Sequence, residues 1–275
     1  MNNSIKSMQL YPRADRIFKD LEAEGYQSDN PVPVEILNRY DQLHYHGTEA
    51  LDTAIEVAGI QAGQQVLEVG SGWGGCARYI AKRTGAHVTA VELQDDYDQV
   101  ARVLTARAGL SDSVTHLNAD FLQVELPIGG YDHAVSWLAL FHIPDRPRYL
   151  KKLHRLIKPG GLLCAEDLYL ISSPPDAETE EFRAHLFPNS LVPPDAYETG
   201  LKQAGFTNVH LSDMTEDWSD FTATRLAAFQ DARSVYEDIH GTQTYQQIEL
   251  FYSKMSGYFA RGLVGGVRVS AVAGA

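Results

Sequence analysis

Val66-Leu67-Glu68-Val69-Gly70-Ser71-Gly72-Trp73-Gly74-Gly75 is an apolar run that turns into glycines and then into a helical pattern. It reads as a strand, a tight loop and the N-terminus of a helix over 74–84. Glycines at 70, 72 and 74 let the backbone come close to a ligand and take φ values that a side chain forbids. The helix that follows aims free N–H groups and its positive dipole end at whatever lies over the loop. Gly70, Gly72 and Gly75 also satisfy G-x-G-x-x-G, the spacing of dinucleotide sites. Glu68 separates the two readings, because a carboxylate at the strand tip repels a pyrophosphate and attracts a cationic group.

Outward from this stretch, strands and helices alternate. Strands are expected at 65–69, 87–92, 114–118, 131–137 and 162–167, with helices at 74–84, 95–108 and 146–157 between them. Lys158-Pro159-Gly160-Gly161 reads as the turn that ends the last helix. This order specifies a doubly wound α/β fold with a mostly parallel sheet, brought to seven strands by 208–211 and 266–273. Upstream, helical spacing at 14–24 and 35–40 is interrupted by Asn30-Pro31-Val32-Pro33, so residues 1–46 read as an N-terminal lid or arm. A helix at 48–58, with Thr48 as its N-cap, opens the main domain, 47–275. After Asp167, Ser172-Ser173-Pro174-Pro175 begins a connector and a helix is expected at 195–205. Two aromatic, amphipathic stretches then form a helical cap inserted at about 216–262.

The motif E-x-G-x-G-x-G, from Glu68 to Gly74, resembles motif I of the class I S-adenosylmethionine-dependent methyltransferases. Their cofactor carries a sulfonium and an ammonium and no phosphate. The resemblance covers about 47–167 and implies a Rossmann-like methyltransferase domain. It assigns Glu68, Gly70, Ser71, Gly72 and Gly74 to the cofactor. Glu92, about twenty residues past the loop at a strand end, is placed to accept from both ribose hydroxyls, with Leu93 beside it. Asn118-Ala119-Asp120-Phe121 resembles the family's adenine segment, in which Asp120 accepts from the amino group and Phe121 donates its backbone N–H. Trp137, closing the fourth strand, completes the set.

The segment 136–145, Ser-Trp-Leu-Ala-Leu-Phe-His-Ile-Pro-Asp, resembles motif IV and the following loop of small-molecule methyltransferases, which makes His142 the candidate base. The tyrosines at 26, 40 and 45, with Gly47, resemble the lid of the phosphoethanolamine methyltransferases. Related in the same way are the sarcosine and dimethylglycine N-methyltransferases. That resemblance implies a Tyr26–His142 dyad and puts Tyr45 at the substrate. Leu138 stands where that family has an acidic residue, and its Arg, Tyr and Lys phosphate cluster has no counterpart, so a phosphorylated substrate is not implied. Gly70-Ser71-Gly72-Trp73-Gly74-Gly75 and 108–114 also resemble cyclopropane fatty acid synthases. Ser71 replaces their cysteine, and Leu140-Phe141-His142-Ile143 replaces their acidic motif, so their bicarbonate site is not recognisable.

Glu166 and Asp167 end the fifth strand and are expected to face His142 as carboxylates lining the substrate site. With them the chemistry reads as direct displacement onto a small amine nitrogen. An O- or C-methyltransferase shares every cofactor residue but wants an apolar pocket without a carboxylate at 166 or 167. A nicotinamide oxidoreductase is the remote alternative. No acidic cluster near 137–141 suggests a metal.

Composition agrees with a small-molecule enzyme. The chain has 275 residues and a formal net charge of -13, which argues against nucleic acid, whose phosphates need a basic face. Two cysteines, Cys76 and Cys164, sit among apolar residues and indicate neither disulfides nor zinc. Residues 1–16 have no apolar leader segment and no stretch reaches membrane-spanning length, so a cytoplasmic protein without membrane contact is expected. The sequence leaves the oligomeric state open, a homodimer included.

Overall fold

The structure, a computed structural model, describes residues 13–274. The first part of the expected arm and of the leader reading, 1–12, lies outside these residues. Helices α1 (Arg16–Ala23) and α2 (Val34–Leu37) precede α3 (Thr48–Ala58). The alternating core follows as β1 (Gln65–Val69), α4 (Gly75–Thr84), β2 (His87–Glu92), α5 (Asp95–Arg107), β3 (Val114–Asn118), β4 (Tyr131–Trp137), α6 (Arg146–Leu156) and β5 (Ile157–Leu170). Then come α7 (Thr179–Leu186), α8 (Pro194–Gln203), β6 (Phe206–Asp213), α9 (Thr215–Asp231), α10 (Arg233–His240), α11 (Thr242–Ala260) and β7 (Val264–Ala273).

The seven strands form one sheet in the order β3-β2-β1-β4-β5-β7-β6. β1, β2, β3, β4 and β5 pair in parallel, and β7 lies antiparallel between β5 and β6. Sheet order reverses between β1 and β4, so the connections leaving these paired strands go to opposite faces and open a crevice at their carboxyl ends. Both faces are buried. One packs Leu67, Ala134 and Leu163 against Tyr149, Leu153 and Leu201 from α6 and α8, and the other packs Val66, Val88 and Val135 against Leu51, Ala77 and Ile80 from α3 and α4. Alternation along each strand divides the side chains between these two layers.

Four differences from the sequence reading have physical causes. The supposed turn at 158–161 belongs to β5: Tyr131 pairs with Ile157 and His133 with Leu162, so these residues loop out of a continuing ladder. Pro159 has no N–H to give that ladder. The connector after Pro175 contains α7, held by buried Phe182 and Leu186. The expected cap is three helices, because the first amphipathic stretch breaks at Ala232. The N-cap of α3 is Gly47, with φ +50, and Thr48 lies inside the helix.

The cap is seated on β7 through Gly265 and Gly266. A Cβ on Gly266 would lie 2.2 Å from the Trp218 ring, and one on Gly265 would lie 2.3 Å from the Tyr169 ring. Trp218 is fully buried. Gly266→Ala therefore must displace Trp218 or the strand, and overpacking of this kind costs about 1–3 kcal/mol. Urea unfolding is expected to show that loss together with a red shift in tryptophan emission. Among the described residues no helix is long and apolar enough to cross a membrane.

Candidate active site

A cavity lies at the carboxyl ends of β1 to β4 and runs beneath α9 and α11, with the arm at 41–45 forming another wall. Its open space is about 1320 Å³, mouth included.

The β1 loop forms its floor. Gly70 takes φ +78, and a Cβ there would lie 2.2 Å from the Ala139 Cβ, so this glycine lets the β1 and β4 loops touch. Glu68 is 2% exposed, and its Oε2 has no hydrogen-bond partner among the described residues. Burial pushes its carboxyl up from 4.5 to about 8, against smaller opposing effects of the Cys76 thiol and the Arg78 guanidinium. A buried carboxylate oxygen without a partner is unfavourable until a donor arrives, so this end of the cavity is built for a cation.

Glu92 closes β2 and is pinned by two backbone donors. Gly72 N–H donates to Oε2 at 2.7 Å and Gln94 N–H to Oε1 at 2.8 Å. Burial nevertheless raises its pKa. So fixed, its remaining lone pairs suit a pair of vicinal hydroxyls. Asp120 accepts from Leu122 N–H at 2.8 Å, which sets its carboxylate on the cavity wall. Next to it the buried Phe121 is anchored by Lys152, whose ammonium donates to the Phe121 carbonyl at 2.6 Å. Ser71, Gly72, Leu93 and Trp137 also line the cavity.

Gly74 does not. A Cβ there would meet His116 at 2.7 Å, so its role is packing the start of α4 against β3.

His142 ends a one-turn 3₁₀ helix, Leu140–His142, directly after β4, and lines the cavity at 4% exposure. Its Nδ1 lies 3.0 Å from the Phe187 carbonyl, which can only accept. The proton is therefore on Nδ1, and Nε2 keeps the lone pair. Burial lowers the ring to about 4, so it is neutral at physiological pH. The turn is clasped from both sides: Phe141 N–H donates to Asp167 Oδ1, and Asn189 Nδ2 donates to the His142 carbonyl at 2.8 Å.

Three expected positions fall elsewhere. Tyr26 packs with the cluster of α1 and α5 that includes Leu21, Tyr97 and Leu104 and does not line the cavity, so the Tyr26–His142 dyad is not formed. The neighbouring strand residues Glu166 and Asp167 do not face His142 together, because successive side chains point to opposite faces. Glu166 lines a second hollow across the sheet, where Arg268 Nε and Nη2 each reach Oε1 at 2.7 Å. Asp167 is fully buried and accepts from Tyr197 Oη at 2.9 Å as well as from Phe141 N–H. Its carboxyl is raised to about 6 by burial, and it positions the turn that carries His142.

The arm brings Tyr45 to the cavity, where it meets Trp218 edge-on at 4.9 Å. It also brings residues the sequence reading passed over. Asp41 lines the cavity and pairs with Arg78 at 2.8 Å, both side chains wholly buried. His44 Nε2 donates to the Gly47 carbonyl at 2.9 Å and its ring lies 5.7 Å from Trp137. From the cap come Phe251, Met255 and Arg225, whose guanidinium stands 5.0 Å from the Tyr45 ring and 4.4 Å from that of Tyr252. A polar residue on a distant amphipathic helix gives no local signal that it will end in this cavity.

A crevice at the sheet's switch point, a buried carboxylate beside the glycine loop with one oxygen unpartnered among the described residues, and a pinned carboxylate at the next strand end also fit a family model. The model of mycolic acid cyclopropane synthetase matches residues 38–268. The chain belongs to that family. With this membership go the Rossmann-like methyltransferase fold and S-adenosylmethionine as cofactor. Methyltransferase GfsG of Streptomyces halstedii is 28% identical over 192 residues, 69% of each chain. Phosphoethanolamine N-methyltransferase 1 of Arabidopsis thaliana is 28% identical over 219 residues, covering 76% of this chain but 43% of that protein. Among solved structures, phosphoethanolamine N-methyltransferase 2 of Haemonchus contortus superposes with a TM-score of 0.78 at 20% identity, over 94% of this chain and 60% of that one. The cyclopropane synthase MmaA2 of Mycobacterium tuberculosis gives 0.76 at 17% identity over 98% of both. At such identities the structures show the shared fold. For this member of the family, the lone Glu68 oxygen fits an ammonium and the pinned Glu92 a ribose diol, so the residues present fit the cofactor.

Proposed function

We propose that this chain methylates a small molecule with a largely apolar body, held between Tyr45, the His142 turn and the cap, and that His142 takes the proton the acceptor loses. The observation that carries this reading is the fixed tautomer of His142, a neutral base on the wall of the cavity that Glu68, Glu92 and Asp120 also line. The bound cofactor supplies an activated, positively charged methyl group. Glu68 would hold its ammonium, Glu92 its ribose, and Asp120 with Phe121 its adenine. The β1 and β4 loops, locked at Gly70 and Ala139, fix the direction from which the methyl is presented. Positioning of this kind supplies roughly 7 to 11 kcal/mol of barrier reduction. The arm before residue 47 and the helices α9 to α11 act as lid and cap that keep water from the reacting atoms.

With Glu166 and Asp167 turned away, the acceptor half holds Phe141, Leu168, Leu186, Phe251 and Met255. That favours a phenolic or enolic oxygen or carbon as acceptor, because an apolar wall without a carboxylate gives a new ammonium nothing to offset its charge. A small amine nitrogen is the second reading. It is favoured by the relatives named for phosphoethanolamine and for glycine, sarcosine and dimethylglycine.

A methyl-transfer screen across phenols, enols and amines tests both. On any substrate found, His142→Ala is expected to lower kcat about a hundredfold. Since the ring is protonated only below about 4, its neutral form persists from pH 8 to pH 5 and the rate should not fall there through loss of this base. A limb near pH 6.5 that His142→Ala abolishes would contradict the assignment.

A further inference from the structure

We infer that the hollow across the sheet is a second binding site, for a small neutral molecule whose edge sets an N–H beside a carbonyl, and that Trp137 couples its occupancy to the cofactor. This goes beyond the methyltransferase reading, which gives the hollow no role. Strand register builds the site. Trp137 pairs with Glu166, Glu166 with Arg268 and Arg268 with Ser212, so these four form one row across β4, β5, β7 and β6. Cys164, Ser270 and His210 form the next row, on the same face of the sheet. Over that face α3 turns Ala50, Thr53, Ala54 and Val57, spaced as one helical side, and the short alanines leave the space open.

The polar groups of the first row are only half used. Glu166 is 3% exposed, and Arg268 gives both its Nε–H and an Nη2–H to the same oxygen, Oε1. Among the described residues no hydrogen bond reaches the other oxygen, Oε2, which leaves a buried acceptor beside the outer N–H groups of a guanidinium. The two charges cancel, so an ion entering the hollow finds no net counter-charge to offset its desolvation. A neutral amide or lactam edge gives its N–H to Oε2 and accepts from Arg268 on its carbonyl. Its body would then lie along Ala54, Val57 and Trp137. Trp137 also lines the cofactor cavity, where the His44 ring lies 5.7 Å from it. A molecule packed against this wall from one side restrains it on the other, and the resulting coupling is reciprocal.

The full-length chain, ligand-free and saturated with S-adenosylhomocysteine, is titrated calorimetrically with 2-quinolinone, whose N–H lies beside its carbonyl, and with N-methyl-2-quinolinone, which lacks the donor. 2-Quinolinone is expected to bind about tenfold more tightly than the N-methyl compound, the loss of a hydrogen bond to a charged group. Its affinity should differ about fivefold between the two states of the chain. Glu166→Gln, which puts an amide donor where Oε2 was, should remove the preference, and Ala54→Leu, which fills the hollow from α3, should abolish binding. Equal binding of the two compounds, a preference that survives Glu166→Gln, or binding that survives Ala54→Leu and so belongs to the first cavity would overturn the site. Equal affinity in the two states would overturn the coupling. Should Glu166→Gln not fold, the wild-type preference and Ala54→Leu decide the matter. Failure to bind S-adenosylhomocysteine would instead overturn the methyltransferase reading, while the ligand-free titration would still test the site.

Discussion

Glu68→Gln is expected to lower the affinity for S-adenosylhomocysteine about a thousandfold while making the ligand-free protein more stable. The two effects have one cause. Glu68 is buried with an oxygen that nothing in the described chain satisfies, and folding raises its carboxyl from 4.5 to about 8. Between these values the folded chain keeps a proton that the unfolded chain has released. Stability therefore falls as pH rises from about 4.5 through 8, by about 1.4 kcal/mol per pH unit from this one group. Glutamine has no proton to lose, so the variant should gain on the wild type as pH rises, with the difference largest at pH 8 and small at pH 5. Binding moves the other way, because removing one partner of a desolvated charge pair costs about 2–5 kcal/mol. Urea unfolding at the two pH values and calorimetric titration read the effects separately. A stability difference that does not change with pH would show that Glu68 is not a strained carboxylate.

The largest expected loss of stability comes from separating Asp41 and Arg78. Both side chains are wholly buried, 2.8 Å apart, and Arg78 also donates to Thr105 Oγ1 at 3.1 Å and to the Ala101 carbonyl at 3.3 Å. The pair thus ties the arm to α4 and α5, and through Asp41 it shapes the cavity wall. Removing one member of a buried pair leaves an uncompensated charge, at about 3–5 kcal/mol. Asp41→Leu and Arg78→Met should each lose that much in urea unfolding, whereas the double variant should recover part of it. A single variant that loses less than about 1 kcal/mol would mean that water reaches the pair.

The fold was legible in the sequence wherever structure is locally encoded. β1, β2, β3 and β4 fall on the residues whose apolar runs and flanking glycines announced them. Glu68, Glu92, Asp120 and His142 reach the cavity because each stands at or just past a strand end, and the parallel sheet gathers those ends on one edge. The failures are equally specific. Glu166 and Asp167 were read as one surface, although the two-residue period of a strand sends neighbours to opposite faces. Gly74 was grouped with its motif although it serves packing against His116. Tyr26 was placed by resemblance in a short, irregular arm, where no period fixes which side faces the cavity; Tyr45 is the tyrosine that arrives there. Arg225 and α7 were not readable at all, since one depends on how the cap folds back over the sheet and the other hid behind two prolines.

The measurement that tests the central claim most directly is calorimetric titration of the wild-type chain with S-adenosylhomocysteine at pH 7, repeated in phosphate and in Tris. If Glu68 receives the ligand's ammonium, one molecule binds per chain in the micromolar range and the two buffers give different heats, because the carboxyl that burial holds protonated gives up its proton on binding. Absence of binding would contradict the assignment of this cavity to the cofactor, and binding with identical heats in both buffers would contradict the role given to Glu68.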